Sequence, residues 1–253
     1  MQSIIYSLIA GTSTVLGAAL VLFLGMPGKK TLAAILGFAG GVMLAISFFD
    51  LLPEALELGT ITTVVISFIL GAGLMYLLDI LIPHAHITSA EGVEFEETGV
   101  IATTEESCKR NMLRIGYLIF LGIALHNLPE GLAIGAGVEA SPELGLYIAI
   151  AIGLHNIPEG IAMACPLRFG GLPFFKVIGL TILAGLMVPL GAAIGLLFFS
   201  ISPIFIGAGM AFAAGAMVYI VNDELIPQAH SLSNHVAIGG LITGLLVGFV
   251  LTH

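Results

Sequence analysis

The sequence predicts an all-α polytopic membrane protein with eight spanning helices. They are arranged three, two and three, with helices one to three and six to eight forming an inverted repeat. Three observations carry this. The chain of 253 residues is 58% hydrophobic and only 9% charged, with a mean hydropathy of +1.12, so its solvent is mainly lipid. Eight apolar stretches, each near the roughly 20 residues a bilayer crossing needs, fall at 3–25, 32–55, 62–82, 113–137, 144–166, 173–199, 203–227 and 235–251. Finally, residues 39–55 (AGGVMLAISFFDLLPEA) align with 213–229 (AAGAMVYIVNDELIPQA) at a constant offset of 174.

The first stretch has no basic region before it and no small-residue cleavage pattern after it, so it is expected to be a retained helix rather than a signal peptide. The second carries Met43 and Asp50, and runs on to Glu54 and Glu57. Those acids are placed to draw cations towards an entrance. The third ends at Asp79 and is followed by the polar insert 83–112, which holds His84, His86 and six glutamates without aliphatic periodicity. That insert is expected to be a mobile cytoplasmic loop. The rest of the chain forms one transmembrane domain over 1–253.

Stretches four and five each contain nearly the same hexapeptide, His126-Asn127-Leu128-Pro129-Glu130-Gly131 and His155-Asn156-Ile157-Pro158-Glu159-Gly160. Histidine and glutamate four apart share one face of a helix, one turn from each other, which is the spacing for sharing a cation. Each proline lacks the N–H that would bond the carbonyl four residues back, on Leu125 and Leu154. A kink and a freed oxygen, a further candidate ligand, are therefore expected. Each glycine lets a neighbouring helix approach closely. A turn of about six residues makes these two helices antiparallel, so the two ligand sets should face each other near mid-membrane. An acid at the bilayer centre costs roughly 2.5–3.5 kcal/mol. Placing two there beside two histidines speaks for a cation site rather than polar packing.

Stretch six is flanked by Arg168 and Lys176, and stretch seven ends in Asp223, Glu224 and His230. The offset of 174 pairs Met43 with Met217, Pro53 with Pro227, and Asp50 with Glu224. Helices two and seven are an odd number apart, so they cross in opposite directions. Inverted repeats of this kind mark secondary transporters with a midplane site. All seven basic residues, Lys29, Lys30, Lys109, Arg110, Arg114, Arg168 and Lys176, map to one side. That side is expected to be cytoplasmic, with both termini outside the cell membrane. Cys108 and Cys165 fall on the same side and form no CxxC pair, so neither a disulfide nor a thiolate cage is expected.

The paired HNxPEG motifs, the eight helices and the variable loop between helices three and four resemble the ZIP (Zrt-, Irt-like protein) metal transporters, nearest to their bacterial ZupT/GufA-type branch. The resemblance covers essentially the whole chain. It implies His126, Glu130, His155 and Glu159 as primary metal ligands, Asn127 and Asn156 beside an adjacent second position, and Met43 as a thioether ligand. It also implies an exit relay formed by Asp79, His84, His86, Asp223 and Glu224. One departure stands out. That branch usually carries glutamate before the proline of helix six, and here Val188 precedes Pro189. One well-held metal, with any second position weaker, is therefore expected.

Imidazole and carboxylate ligands suit Zn(II), and also Cd(II), Fe(II), Mn(II) and Co(II), as transported substrate; no cofactor is implied. Divalent metal ions and the lipid bilayer are the expected partners, with a homodimer also compatible and nucleic acid excluded. A membrane-embedded metalloenzyme is the alternative, but both HExxH and the Glu-x-x-His pairs of di-iron bundles are absent. A metal sensor is the other.

Overall fold

A computed structural model describes residues 1–81, 105–199 and 202–252, and these are helical nearly throughout. Helix α1 is Gln2–Leu24, α2 is Lys29–Leu58, α3 is Ile61–Leu81, α4 is Glu105–Ala140, α5 is Pro142–Phe169 and α6 is Phe174–Phe199. The last apolar segment, Pro203–Leu251, forms one continuous run of 49 residues, so seven helices among the described residues are long and apolar enough to cross a membrane. A straight helix of that length would reach about 74 Å, more than twice a bilayer core.

It is not straight, because Ser233 leaves the helical region at φ −169° and ψ 100°. We call 203–232 α7 and 234–252 α8. Packing fixes their directions. Along α2, Gly40 lies against Val221 and Leu225, Ser47 reaches Met217, and Ala55 lies against Gly207, so α7 runs antiparallel to α2. Ala34, Phe38 and Val42 meet Gly240, Gly244 and Gly248 in order, so α8 runs parallel to α2. The two arms therefore oppose each other, and the eight passes rest on that reversal.

Three boundaries differ from the sequence expectation. Helix α4 begins at Glu105 rather than 113, because hydropathy misses a helical turn or two that is polar. The residues of the insert before it, including His84 and His86, lie outside the described residues. The junction of α4 and α5 is Ser141 alone, not six residues. Its extended backbone and hydroxyl, which accepts from the Leu144 amide at 3.1 Å, cap α5, and Pro142 occupies the first turn. Finally, α7 remains helical through His230 instead of ending at 227.

The inverted repeat extends well beyond the aligned segment. Glycine sets the seams, since it lets one backbone lie directly on another. A Cβ on Gly160 would run into the Thr14 carbonyl and the Ala18 amide, and one on Gly131 into those of Val188 and Ala192. Likewise Gly17 sits on the Ile157 carbonyl and Gly191 on that of Leu128. Every partner is related by the offset of 174 between α1 and α6, or of 29 between α4 and α5. Gly11 and Gly185, themselves offset by 174, lie on each other's carbonyls and so mark where the pseudo-twofold axis passes. Both α2 and α7 also contain a π-helical turn, at Ile46–Leu51 and Val221–Leu225, the first holding Asp50 and the second Asp223 and Glu224, each followed by one of the equivalent prolines Pro53 and Pro227.

Candidate metal centre

Helices α4 and α5 pack antiparallel along their lengths, Gly116 against Leu167 at one end and Val138 against Gly145 at the other. That register sets the two hexapeptides opposite each other. His126 Nε2 lies 2.9 Å from Glu159 Oε1, and His155 Nε2 lies 2.8 Å from Glu130 Oε1. All four residues are buried, none more than 2% exposed. Within α5 the His155–Glu159 separation is 3.7 Å. The short bonds therefore cross between helices, whereas spacing alone pointed to pairs along one helix. Sequence periodicity gives the face but not the depth of a neighbouring helix.

Each carboxylate uses one oxygen in these pairs and leaves Oε2 without a hydrogen-bond partner, as are Asn127 Oδ1, Asn156 Oδ1 and His155 Nδ1. Unpaired polar atoms in an apolar interior cost several kcal/mol on transfer scales, so their concentration in one layer is a demand for a ligand. Ligand atoms of His126, Glu130 and Glu159 all lie within 4.8 Å of one another. Imidazole nitrogen with carboxylate oxygen is a donor set for borderline divalent metals.

The asparagines are anchored rather than loose. Asn127 Nδ2 donates to the Ala184 carbonyl at 2.8 Å, and Asn156 Nδ2 donates to the Ala10 carbonyl at 3.1 Å. With the amide so assigned, each Oδ1 is left as an acceptor. Ala10 and Ala184 are again offset by 174, so the four-helix layer of α1, α4, α5 and α6 is symmetric around the His/Glu group.

Pro129 and Pro158 line two apolar grooves, the first with Leu125, Leu128 and Leu132, the second with Leu154, Ile157 and Ile161.

Other residues singled out from sequence fall in two places. Asp79, Asp223 and Glu224 line one narrow cleft together with His126, so α3, α7 and the central group share it. About 10 Å³ of space is open there, room for one water-sized particle. The Tyr219 hydroxyl donates to Asp79 Oδ2 over a long 3.4 Å, and Gln228 Nε2 donates to Glu224 Oε1 at 3.3 Å. Tyr219 carries no sequence signal; only the packing of α3 on α7 brings it to the cleft. Met43 is fully buried on α2, where the Ser47 hydroxyl donates to its carbonyl and also approaches Met217 Sδ at 3.8 Å. Asp50 is buried at 7% exposure, Glu54 half-buried and Glu57 exposed. Val188 is fully buried, with its carbonyl against Gly131. Thr14, its counterpart on α1, was not picked out from sequence, although extending the 174 offset to helix one identifies it.

The chain is 40% identical to the zinc transporter ZupT of Corynebacterium aurimucosum, over 95% of this chain and 92% of that one. It is 39% identical to the ZupT of Chlorobium limicola, over 94% and 92%, and 38% identical to that of Corynebacterium glutamicum, over 95% and 94%. The family model described as ZIP zinc transporter matches residues 1–252, and the chain belongs to the ZIP family.

Proposed function

We propose that the protein carries zinc across the cell membrane into the cytoplasm through the His126/Glu130/His155/Glu159 group. The observation that carries this is the cross-paired, fully buried cluster with two carboxylate oxygens left unpaired, on helices long and apolar enough to span a bilayer. A cation entering the layer finds imidazole and carboxylate donors; leaving it, the cation meets Asp79, Asp223 and Glu224 in the cleft that His126 also lines. Metal and protons compete for the same oxygens, so protonation of Glu130 or Glu159 offers a release step.

The continuity of cluster and cleft supports transport over static sensing, since a sensor has no use for a second acidic layer beyond its site. ZIP proteins are transporters, so the chain is not an enzyme. The basic ends of α2, α4, α5 and α6 support an inner face at Lys29, Arg114, Arg168 and Lys176, with both termini outside. Cd(II), Fe(II), Mn(II) and Co(II) suit the same donors and are expected to compete. The test is reporter-monitored zinc uptake into proteoliposomes by the wild type, Glu130→Ala and Glu159→Ala. Loss of uptake in the variants is expected; unchanged flux in both defeats the mechanism.

A further inference from the structure

The larger of the two proline grooves differs from the smaller in size and in the charge at its end. It opens 680 Å³ between α1, α2, α5 and α8, against 200 Å³ for its counterpart. The internal repeats relate the two. Leu20, Phe38 and Pro158 of the larger groove become Ile194, Phe212 and Pro129 of the smaller, at offsets of 174, 174 and 29.

Water is a poor occupant of the larger groove. Its space equals roughly 20 water volumes, yet among the described residues that line it Thr243 has the one polar side chain. That hydroxyl already donates to the Gly239 carbonyl at 2.8 Å. The helices on every side are long and apolar enough to span a bilayer, so the matter available at this depth is hydrocarbon. The lining runs from Leu154 to Ile161 along α5 and from Val236 to Thr243 along α8. Each stretch covers about 10 Å, most of the roughly 15 Å that one leaflet's chains occupy.

One end of this groove is cationic. On α2 the lining row of Phe38 and Ala34 continues one turn back to Lys30, and on α5 the row through Ile161 continues two turns on to Arg168, both exposed. Lys30 starts α2 and Arg168 ends α5, and the two helices cross in opposite directions, so both charges stand at the same mouth. At the equivalent positions by the smaller groove are Ile204 and Glu139. Long cationic side chains on such rows reach along apolar surface to the lipid headgroups.

We propose that the larger groove is a lipid site. One acyl chain of an anionic glycerophospholipid lies between α1/α5 and α2/α8, and Lys30 and Arg168 hold its phosphate. The free end of the chain abuts Leu154 and Pro158, the sequence neighbours of His155 and Glu159, and so braces the α5 hexapeptide from behind. The site stands whatever ion the protein carries.

The test is native mass spectrometry of the delipidated, detergent-solubilised full chain, titrated with phosphatidylglycerol or with phosphatidylcholine of the same acyl chains. The wild type is expected to take one phosphatidylglycerol about tenfold more tightly than phosphatidylcholine, the preference that two cations supply at a headgroup. Lys30→Ala/Arg168→Ala should bind both lipids alike. Gly239 lines the groove and has nothing within 4 Å of an added Cβ, so Gly239→Leu should fold, fill the groove and lose the tight lipid. Gly179→Leu, equally unobstructed but on α6, should keep it. A wild type without preference for phosphatidylglycerol overturns the proposal, as does a Gly239→Leu protein that binds it like the wild type. A pair of chains that Gly239→Leu dissociates also overturns it, because a second copy then fills the groove. If Gly239→Leu is not recovered, the double variant decides alone, and a retained preference for phosphatidylglycerol overturns the site.

Discussion

Gly160→Ala is the sharpest test of how packing holds the centre together. The added Cβ would collide with the Thr14 carbonyl and the Ala18 amide, both backbone atoms that cannot swing aside. An ordinary carbon–oxygen contact needs about 3.4 Å, so the α1/α5 seam must open by about 1.5 Å. The Asn156–Ala10 hydrogen bond, already 3.1 Å long, does not survive that stretch. Its loss costs roughly 0.6–1.7 kcal/mol in a membrane protein. Lost seam contacts add to this, while alanine's better helix propensity returns about 0.5–1 kcal/mol. The net expectation is destabilisation of about 1–3 kcal/mol, a fall in melting temperature of roughly 2–10 °C for a chain of this size. Zinc uptake should fall further, because Asn156 and Glu159 both sit on the displaced turn. Gly131→Ala should do the same through Val188 and Ala192. Gly73 and Gly179 have no neighbour near an added Cβ, so alanine at either should leave melting unchanged or raise it slightly. Thermal unfolding in detergent, paired with proteoliposome uptake, reads all four variants. If Gly160→Ala and Gly131→Ala melt and transport like the wild type, the seams do not position the site.

Three further outcomes follow from the same geometry. Glu130→Ala removes the 2.8 Å partner of His155 Nε2, whose Nδ1 also has none, and should cost about 1–3 kcal/mol. Glu130→Gln should recover most of that stability yet still abolish uptake, so a glutamine variant that transports normally would contradict the carboxylate's role. Val188→Glu buries an acid at a cost of roughly 2.5–3.5 kcal/mol next to Asn127. It should lower the metal-free melting temperature and make melting more zinc-dependent than in the wild type; a zinc-independent melt means no cation reaches that seam. Tyr219→Phe removes only a 3.4 Å bond to Asp79, so stability should change by no more than about 0.5 kcal/mol. If the cleft is the exit, kcat for uptake drops while KM holds, whereas an unaltered kcat would place the exit elsewhere.

The hexapeptide doublet was legible because histidine, proline and acid at fixed spacing stand out against an apolar background, and the helices because hydropathy tracks lipid. Helix two and helix seven could be matched because Met43, Pro53 and Ala55 recur at one offset. What stayed hidden depends on which oxygen already has a partner. Thr14 reads as an ordinary small polar residue until Ser13 and Asn156 are seen to share the Ala10 carbonyl while its own hydroxyl has no hydrogen-bond partner. The cross-helix exchange of His126 with Glu159 needed the α4/α5 register, which the single-residue Ser141 junction sets.

The distribution of tight and loose seams also limits how the molecule can move. Backbone lies on backbone between α1 and α5, α4 and α6, and α1 and α6 at Gly11 and Gly185, while α4 and α5 pack along their whole lengths. A second set of such contacts joins α2 to α8 and α3 to α7. Between these two blocks lie the larger grooves: 680 Å³ separating α1 and α5 from α2 and α8, and 200 Å³ separating α4 and α6 from α3 and α7. Sliding within a block would drive carbonyls into glycine Cα atoms, whereas sliding between blocks exchanges soft side-chain contacts. The His/Glu group and both asparagine anchors belong wholly to the first block, and Asp79, Asp223 and Glu224 to the second. Displacement of the first block past the second would separate His126 from the acidic cleft, carrying the whole His/Glu group with it.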